Sequence, residues 1–102
     1  FNKMVDERFR EHLPVPEYAQ ALGVTESRLN DLCRRFANRP PKRLIFDRLL
    51  REAKRMLLFS ACTVHETAYS LGFKDPAYFA RFFNRLEGCS PSTYRAAQHA
   101  LS

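Results

Sequence analysis

Arg81 stands in the stretch "AYFARFFNR" (Ala77–Arg85), a guanidinium set among aromatic side chains. A guanidinium is a rigid fork of donors, and the fork fits either the O6/N7 edge of guanine or a phosphate. Ala77 stands one turn before Arg81 on the same face and Ala80 directly beside it, both away from the phenylalanines, small enough to allow close approach and able to meet a thymine methyl. Lys74 lies just ahead of them. A second polar set, Ser27, Asn30, Asp31 and Arg34, occurs in "ESRLNDLCRR" (Glu26–Arg35). Asn30 can pair bidentately with adenine. Asp31 admits three readings: acceptor from a cytosine amino group, brace for Arg28 or Arg34, or mild repulsion of phosphate. Ser27, Asn30, Asp31, Lys74, Ala77, Ala80 and Arg81 are therefore candidates for contact with base edges.

Such roles need elements that aim these side chains away from a core. The chain has only three glycines in 102 residues and no strand-like alternation. Apolar residues recur at i, i+3, i+4 and i+7, so the predicted class is all-α, with seven helices. The first spans Asn2 to Leu13 and is stopped by Pro14. The second runs from Pro16 to Leu22, with Gly23 as its stop. The third follows Thr25 as N-cap and carries Leu29, Leu32, Cys33 and Phe36 on one face, with Asn38 as a left-handed stop. The fourth opens at Pro41 and runs to about Leu58, with Ile45, Leu49, Ala53 and Met56 as its apolar stripe. The fifth opens on Thr63-Val-His-Glu66, a capping box, and closes at Gly72. Asp75-Pro76 and Ser90-Pro91 open the sixth and seventh. On this reading Phe79, Phe82 and Phe83 face a core and Arg81 faces away from it.

The composition narrows the partners. The hydrophobic share of 45% is enough for a core, which excludes a disordered chain. The formal net charge is +6, and it is concentrated: residues 28–55 hold ten basic residues and three acids, a net +7. Clustering of that kind fits a phosphate-facing surface, although charged helix faces are often only solvated. Arg34, Arg35, Arg39 and Lys42 are the candidates for phosphate contact, with the helix amides near Pro41 and Pro91 as further anchors. Cys33, Cys62 and Cys89 are odd in number and not at metal-clip spacing. They read as reduced thiols in a cytoplasmic protein, with no metal and no cofactor implied. No nucleophile elbow, phosphate loop or carboxylate–histidine constellation appears, so the chain is not expected to be an enzyme. No apolar run reaches the ~20 residues of a membrane span. The chain begins at Phe1, which suggests a piece of a longer protein.

The sequence also repeats. Ala19, Leu22 and Gly23 recur 49 positions later as Ala68, Leu71 and Gly72. Leu29, Leu32 and Cys33 recur 50 positions later as Phe79, Phe82 and Phe83, so the second turn is one residue longer. "NRPP" (Asn38–Pro41) is echoed by "GCSP" (Gly88–Pro91). Each copy has a small residue where two helices cross, a glycine for a positive φ and an apolar pin beyond it, which is a helix-turn-helix. One such match is weak. Two at near-constant spacing are strong. The expected organisation is a first lobe over 1–40, a connector helix over 41–58 and a second lobe over 59–102.

At this point the chain resembles the DNA-binding domain of the AraC/XylS transcriptional activators. The resemblance rests on Ala19 to Gly23, the connector "DRLLREAKRMLL" (Asp47–Leu58) and "LGFKDPAYFARFFNRLEGCSPSTYR" (Leu71–Arg95). It implies two lobes whose third and sixth helices enter successive major-groove segments of double-stranded DNA. It also implies RNA polymerase as a partner and a separate effector-binding sensory domain elsewhere in the parent chain. Within the family, "TESRLNDLCRRFANRPPKRLIFDR" is similar to an activator of aromatic-compound catabolism. Asp31 stands where many relatives have arginine, Cys33 where a phenylalanine is usual and Thr67 where an aliphatic is usual. A slightly looser first lobe is the expectation. The rival reading is a helical protein-interaction module with a basic surface.

Overall fold

Every regular element among residues 1–100, which the computed structural model describes, is helical. The seven α-helices are α1 (Asn2–Arg8), α2 (Val15–Leu22), α3 (Glu26–Ala37), α4 (Pro41–Phe59), α5 (Val64–Ser70), α6 (Pro76–Glu87) and α7 (Pro91–Ala100). A 3-10 turn over Phe9–Glu11 follows α1. The chain divides into two units, Phe1–Leu49 and the residues from Leu50 on, and the division falls inside α4. Of the second lobe as expected from sequence, Leu101 and Ser102 lie outside the described residues.

The helix stops and starts follow local chemistry. Thr25 Oγ1 accepts from the Arg28 amide at 3.0 Å. The Thr63–Glu66 capping box is complete: Glu66 N donates to Thr63 Oγ1 at 3.0 Å and Thr63 N donates to Glu66 Oε1 at 2.8 Å. Asp75 Oδ1 accepts from the Ala77 amide at 2.9 Å, and Ser90 Oγ from the Thr93 amide at 3.1 Å. The bonds from the Arg28, Glu66, Ala77 and Thr93 amides satisfy first-turn amides that have no partner within their own helix, and the bond from Thr63 N satisfies the amide of the capping residue itself. Asn38 closes α3 at φ 57, in the left-handed region that asparagine tolerates.

The first helix departs from expectation. It ends at Arg8, not Leu13, and His12 takes φ 54. Pro14 holds Leu13 out of the helical region, so the chain must leave the helix before it. A 3-10 turn tightens the last residues and buries Phe9.

In the first unit, Val5, Phe9, Tyr18, Ala19, Leu29, Cys33, Ile45 and Leu49 form the core. Arg48 fastens α1 to α4, with Nε 2.8 Å from Asp6 Oδ1 and its guanidinium 4.3 Å from the Phe9 ring centre. In the second unit, Ala53, Met56, Leu57, Ala68, Leu71, Phe73, Phe79, Phe82 and Phe83 are buried. Phe73 lies 5.2 Å from Phe79 and 5.3 Å from Phe82, and Phe83 meets Tyr94 edge-on at 5.5 Å. Burying each such ring is worth roughly 1.5–3 kcal/mol. Arg95 of α7 donates from Nε to the Leu57 carbonyl at 2.9 Å, and Lys54 pairs with Glu87 at 2.6 Å. Glu52, inside the α4 stripe, is buried and bound by Arg55.

Candidate nucleic-acid interface

The two helix-turn-helix copies are alike down to single hydrogen bonds. In the first, Val24 N donates to Ala19 O at 3.0 Å; in the second, Phe73 N donates to Ala68 O at 3.0 Å. Gly23 and Gly72, at φ 72 and φ 88, make these turns. A side chain there would be strained in the left-handed region. The extra residue of the second turn is Lys74, which is exposed at the mouth of α6.

Burial of one face fixes what the other presents. On α6, Phe79, Phe82 and Phe83 are buried, while Ala77, Arg81 and Asn84 are exposed and Ala80 is half-buried. On α3, Leu29 and Cys33 are buried, Ser27, Asp31 and Arg34 are exposed and Asn30 is half-buried. Ser27 and Asn30 share an open cleft of about 480 Å³ with Lys42 and with Pro40 and Pro41, at the mouth of α4. The fold thus brings two base-edge candidates and one phosphate candidate to one place. Arg34, Arg35 and Arg39 are exposed. Arg35 lies over the Phe36 ring at 5.9 Å, and Lys42 Nζ stands 5.4 Å from the centre of Phe46.

Three features were not legible beforehand. The basic run is partly neutralised within the fold: Arg39 and Arg43 both bind Asp47, Arg48 binds Asp6, Lys54 binds Glu87 and Arg55 binds Glu52. Asp47 and Glu52 are already counted in the +7, so only the pairs with Asp6 and Glu87 lower it further. Phe36, expected in the core stripe, is 79% exposed. It lies in the last turn of α3, where the chain swings away at Asn38, and it borders an open apolar groove of about 430 Å³ with Phe1, Leu22, Leu32, Cys33 and Leu44. Tyr78 is 52% exposed on α6, and Arg81 Cζ lies 5.9 Å from its ring centre. The signal for Tyr78 was the i, i+3 spacing to Arg81.

Residues 18–97 match the family model described as "helix-turn-helix domain". The chain belongs to this AraC-type family. The raffinose operon transcriptional regulatory protein RafR of Pediococcus pentosaceus is 31% identical over 89% of the chain. The histidine kinase P4 of Formosa agariphila is 27% identical over 93%. The AraC-type chain spans 33% of RafR's length and 7% of P4's. Among solved structures, the DNA-binding domain of the global transcriptional factor AdpA, in complex with a target DNA, is 26% identical. It superposes with a TM-score of 0.81, over 97% of this chain and 93% of that one. The AraC-type domain thus occurs in parent chains of very different size.

Among the described residues, no helix is long and apolar enough to cross a membrane, and no group of His, Cys, Asp and Glu is placed to hold a metal ion.

Proposed function

We propose that the chain binds double-stranded DNA sequence-specifically in transcription regulation, with α3 and α6 as reading helices in successive major-groove segments. The observation that carries this reading is the duplicated turn: two helices with matched turn hydrogen bonds, each with a buried apolar face and an exposed polar one. AdpA, a structural neighbour solved on DNA, supports it. In this reading Asn30 and Ser27 meet base edges in one groove segment. Arg81 grips a guanine in the other, with Lys74, Ala77 and Ala80 lining the approach. Asp31 accepts from a cytosine amino group, braces Arg28 or Arg34, or mildly repels phosphate. Arg34, Arg35 and Lys42 meet phosphates. Arg39 also reaches a phosphate, but only by leaving or sharing Asp47.

The parent protein is read as a cytoplasmic activator that also contacts RNA polymerase and carries an effector-binding domain. The chain's likeness to a raffinose operon transcriptional regulatory protein and to a lactose operon transcription activator supports the regulatory role. The operon served is read as one for aromatic-compound catabolism, specifically 4-hydroxyphenylacetate. That reading rests on the likeness of residues 25–48 alone. Expressing the whole protein beside such an operon, with and without the aromatic acid, tests it.

A protein-interaction module is the second reading, favoured by the exposed Phe36 and the open groove beside it. A gel shift against duplex DNA, single-stranded RNA and no nucleic acid, over a salt series, separates the two. DNA binding predicts a duplex shift that weakens with salt, and Arg35→Ala or Lys42→Ala flattening the log K against log salt slope by about one unit. Absence of any duplex shift at low salt would leave only the interaction module.

A further inference from the structure

Tyr78 has no part in the base or phosphate contacts assigned above, yet its place is unusual. It lies in the first turn of α6, with half its surface in solvent, where a large aromatic ring gains little from burial. It touches the core through Phe73, itself buried, whose ring centre lies 5.9 Å away with planes tilted by 41°. The Arg81 guanidinium also stands near it, 5.9 Å from the ring centre. That distance is at the outer reach of a cation–π contact, and the i, i+3 spacing keeps the two side chains adjacent along the helix. Ala77 and Ala80, beside them, are too small to restrain a long side chain. Tyr78 is thus the ring that links Arg81 to the packed interior.

We propose that Tyr78 is a positioning residue for DNA readout: its ring, fixed by Phe73, holds the Arg81 guanidinium in the orientation that meets a base edge. The proposal rests on the reading of Arg81 as a base contact. An arginine free to sample its rotamers loses that freedom on binding, whereas one already resting on a fixed ring loses less. The phenol oxygen has no task in this role. The π face does.

The test measures, for the intact chain, affinity for its selected duplex and for duplexes changed at the base pair whose preference Arg81→Ala relaxes. Tyr78→Phe keeps the ring and should keep both affinity and preference. Tyr78→Ala should lower affinity for the selected duplex about two- to fivefold, the worth of an exposed cation–π contact. Preference at that one base pair should fall by the same factor, with an unchanged salt slope because no charge is removed. Tyr78→Leu, which fills the space against Phe73 without a π face, guards against a folding defect. It should melt like the parent and read like Tyr78→Ala. In an Arg81→Ala background, Tyr78→Ala should add nothing.

Tyr78→Phe behaving like Tyr78→Ala would overturn the proposal, because the hydroxyl would then touch DNA itself. So would full rescue by leucine, which would mean packing alone, or an undiminished effect of Tyr78→Ala without Arg81. If Arg81→Ala changes nothing, the reading of α6 as a base-contacting helix fails and this inference falls with it. If Arg81→Ala relaxes the preference and Tyr78→Ala does not, only the inference fails.

Discussion

The two units share one turn and differ in how they fill the space behind it. Leu71 is fully buried in the second unit, whereas Leu22, its counterpart, is 38% exposed. Where the second unit places Phe79, Phe82 and Phe83, the first has Leu29, Leu32 and Cys33. Part of the missing volume returns on the preceding helix. Tyr18 stands where the second unit has Thr67, and both are fully buried. Thr67 donates its hydroxyl hydrogen to the Thr63 carbonyl, while the buried Tyr18 hydroxyl has no partner. Burial raises the tyrosine's pKa. The rest of the volume does not return, and the apolar groove beside Phe36 is left open.

The outward faces differ as well. Tyr78 and Arg81 form a cation-bearing pair on α6, and the same positions on α3 hold Arg28 and Asp31. The duplication therefore keeps what sets the helix angle, namely the turn and its glycine. Core volume and reading chemistry vary freely around it.

The largest expected effect tests the difference in packing. Phe83→Ala should destabilise the chain by about 3–5 kcal/mol, the usual cost of an emptied aromatic site. Cys33→Ala, at the matching position, should cost only about 1 kcal/mol, since little more than one heavy atom is removed. Denaturant melts of both variants check this, and equal losses would mean that the first unit is packed as tightly as the second.

The next effect concerns readout. Arg81→Ala and Asn30→Ala should each cost about 1–3 kcal/mol in specific affinity, each relaxing preference in its own half of the site only. Both side chains lie off the buried faces, so melting should barely move. Binding assays on duplexes varied one base pair at a time, paired with melts, measure it. Loss of preference in both halves from either change would mean that the units do not read separately.

How much of this was legible depended on the range of the interactions. Thr25, Thr63–Glu66, Asp75 and Ser90 cap helices through bonds spanning three residues or fewer, so their roles could be read from neighbours alone. The buried faces of α4 and α6 followed from periodicity for the same reason. Phe36 could not be placed, because its exposure depends on what lies beyond the end of α3. Arg39 meets Asp47 eight residues away and Arg48 meets Asp6 across 42, so no local pattern announced that these charges were paired. The placement of Glu52 in a buried stripe was likewise hidden, since an acid there reads as a helix-surface residue until Arg55 is seen holding it.

The smallest effect separates the helices that open each repeat. Glu66 is held below the usual carboxylate range, first by the Thr63 amide and then by its hydroxyl. A folded-state pKa below the unfolded one contributes stability above the ordinary value of 4.5, and that contribution is lost as pH falls through the depressed value. The matching helix of the first unit starts from Pro14 and has no side-chain cap. Acid should therefore loosen α5 and not α2, and Glu66→Gln should flatten the dependence. Amide hydrogen exchange measured between neutral pH and pH 3 resolves the two helices. Equal loosening of both would remove the capping box as its cause.

The central claim is that the two units are unlike readers used in tandem. Selection of duplexes from a random pool by this chain tests it most directly. The account predicts two short blocks of different sequence, their centres about one helical turn apart, ~10–10.5 bp, bound by a single copy of the chain. A palindromic site bound by an obligate pair of chains, or a single block with no second preference, would contradict it.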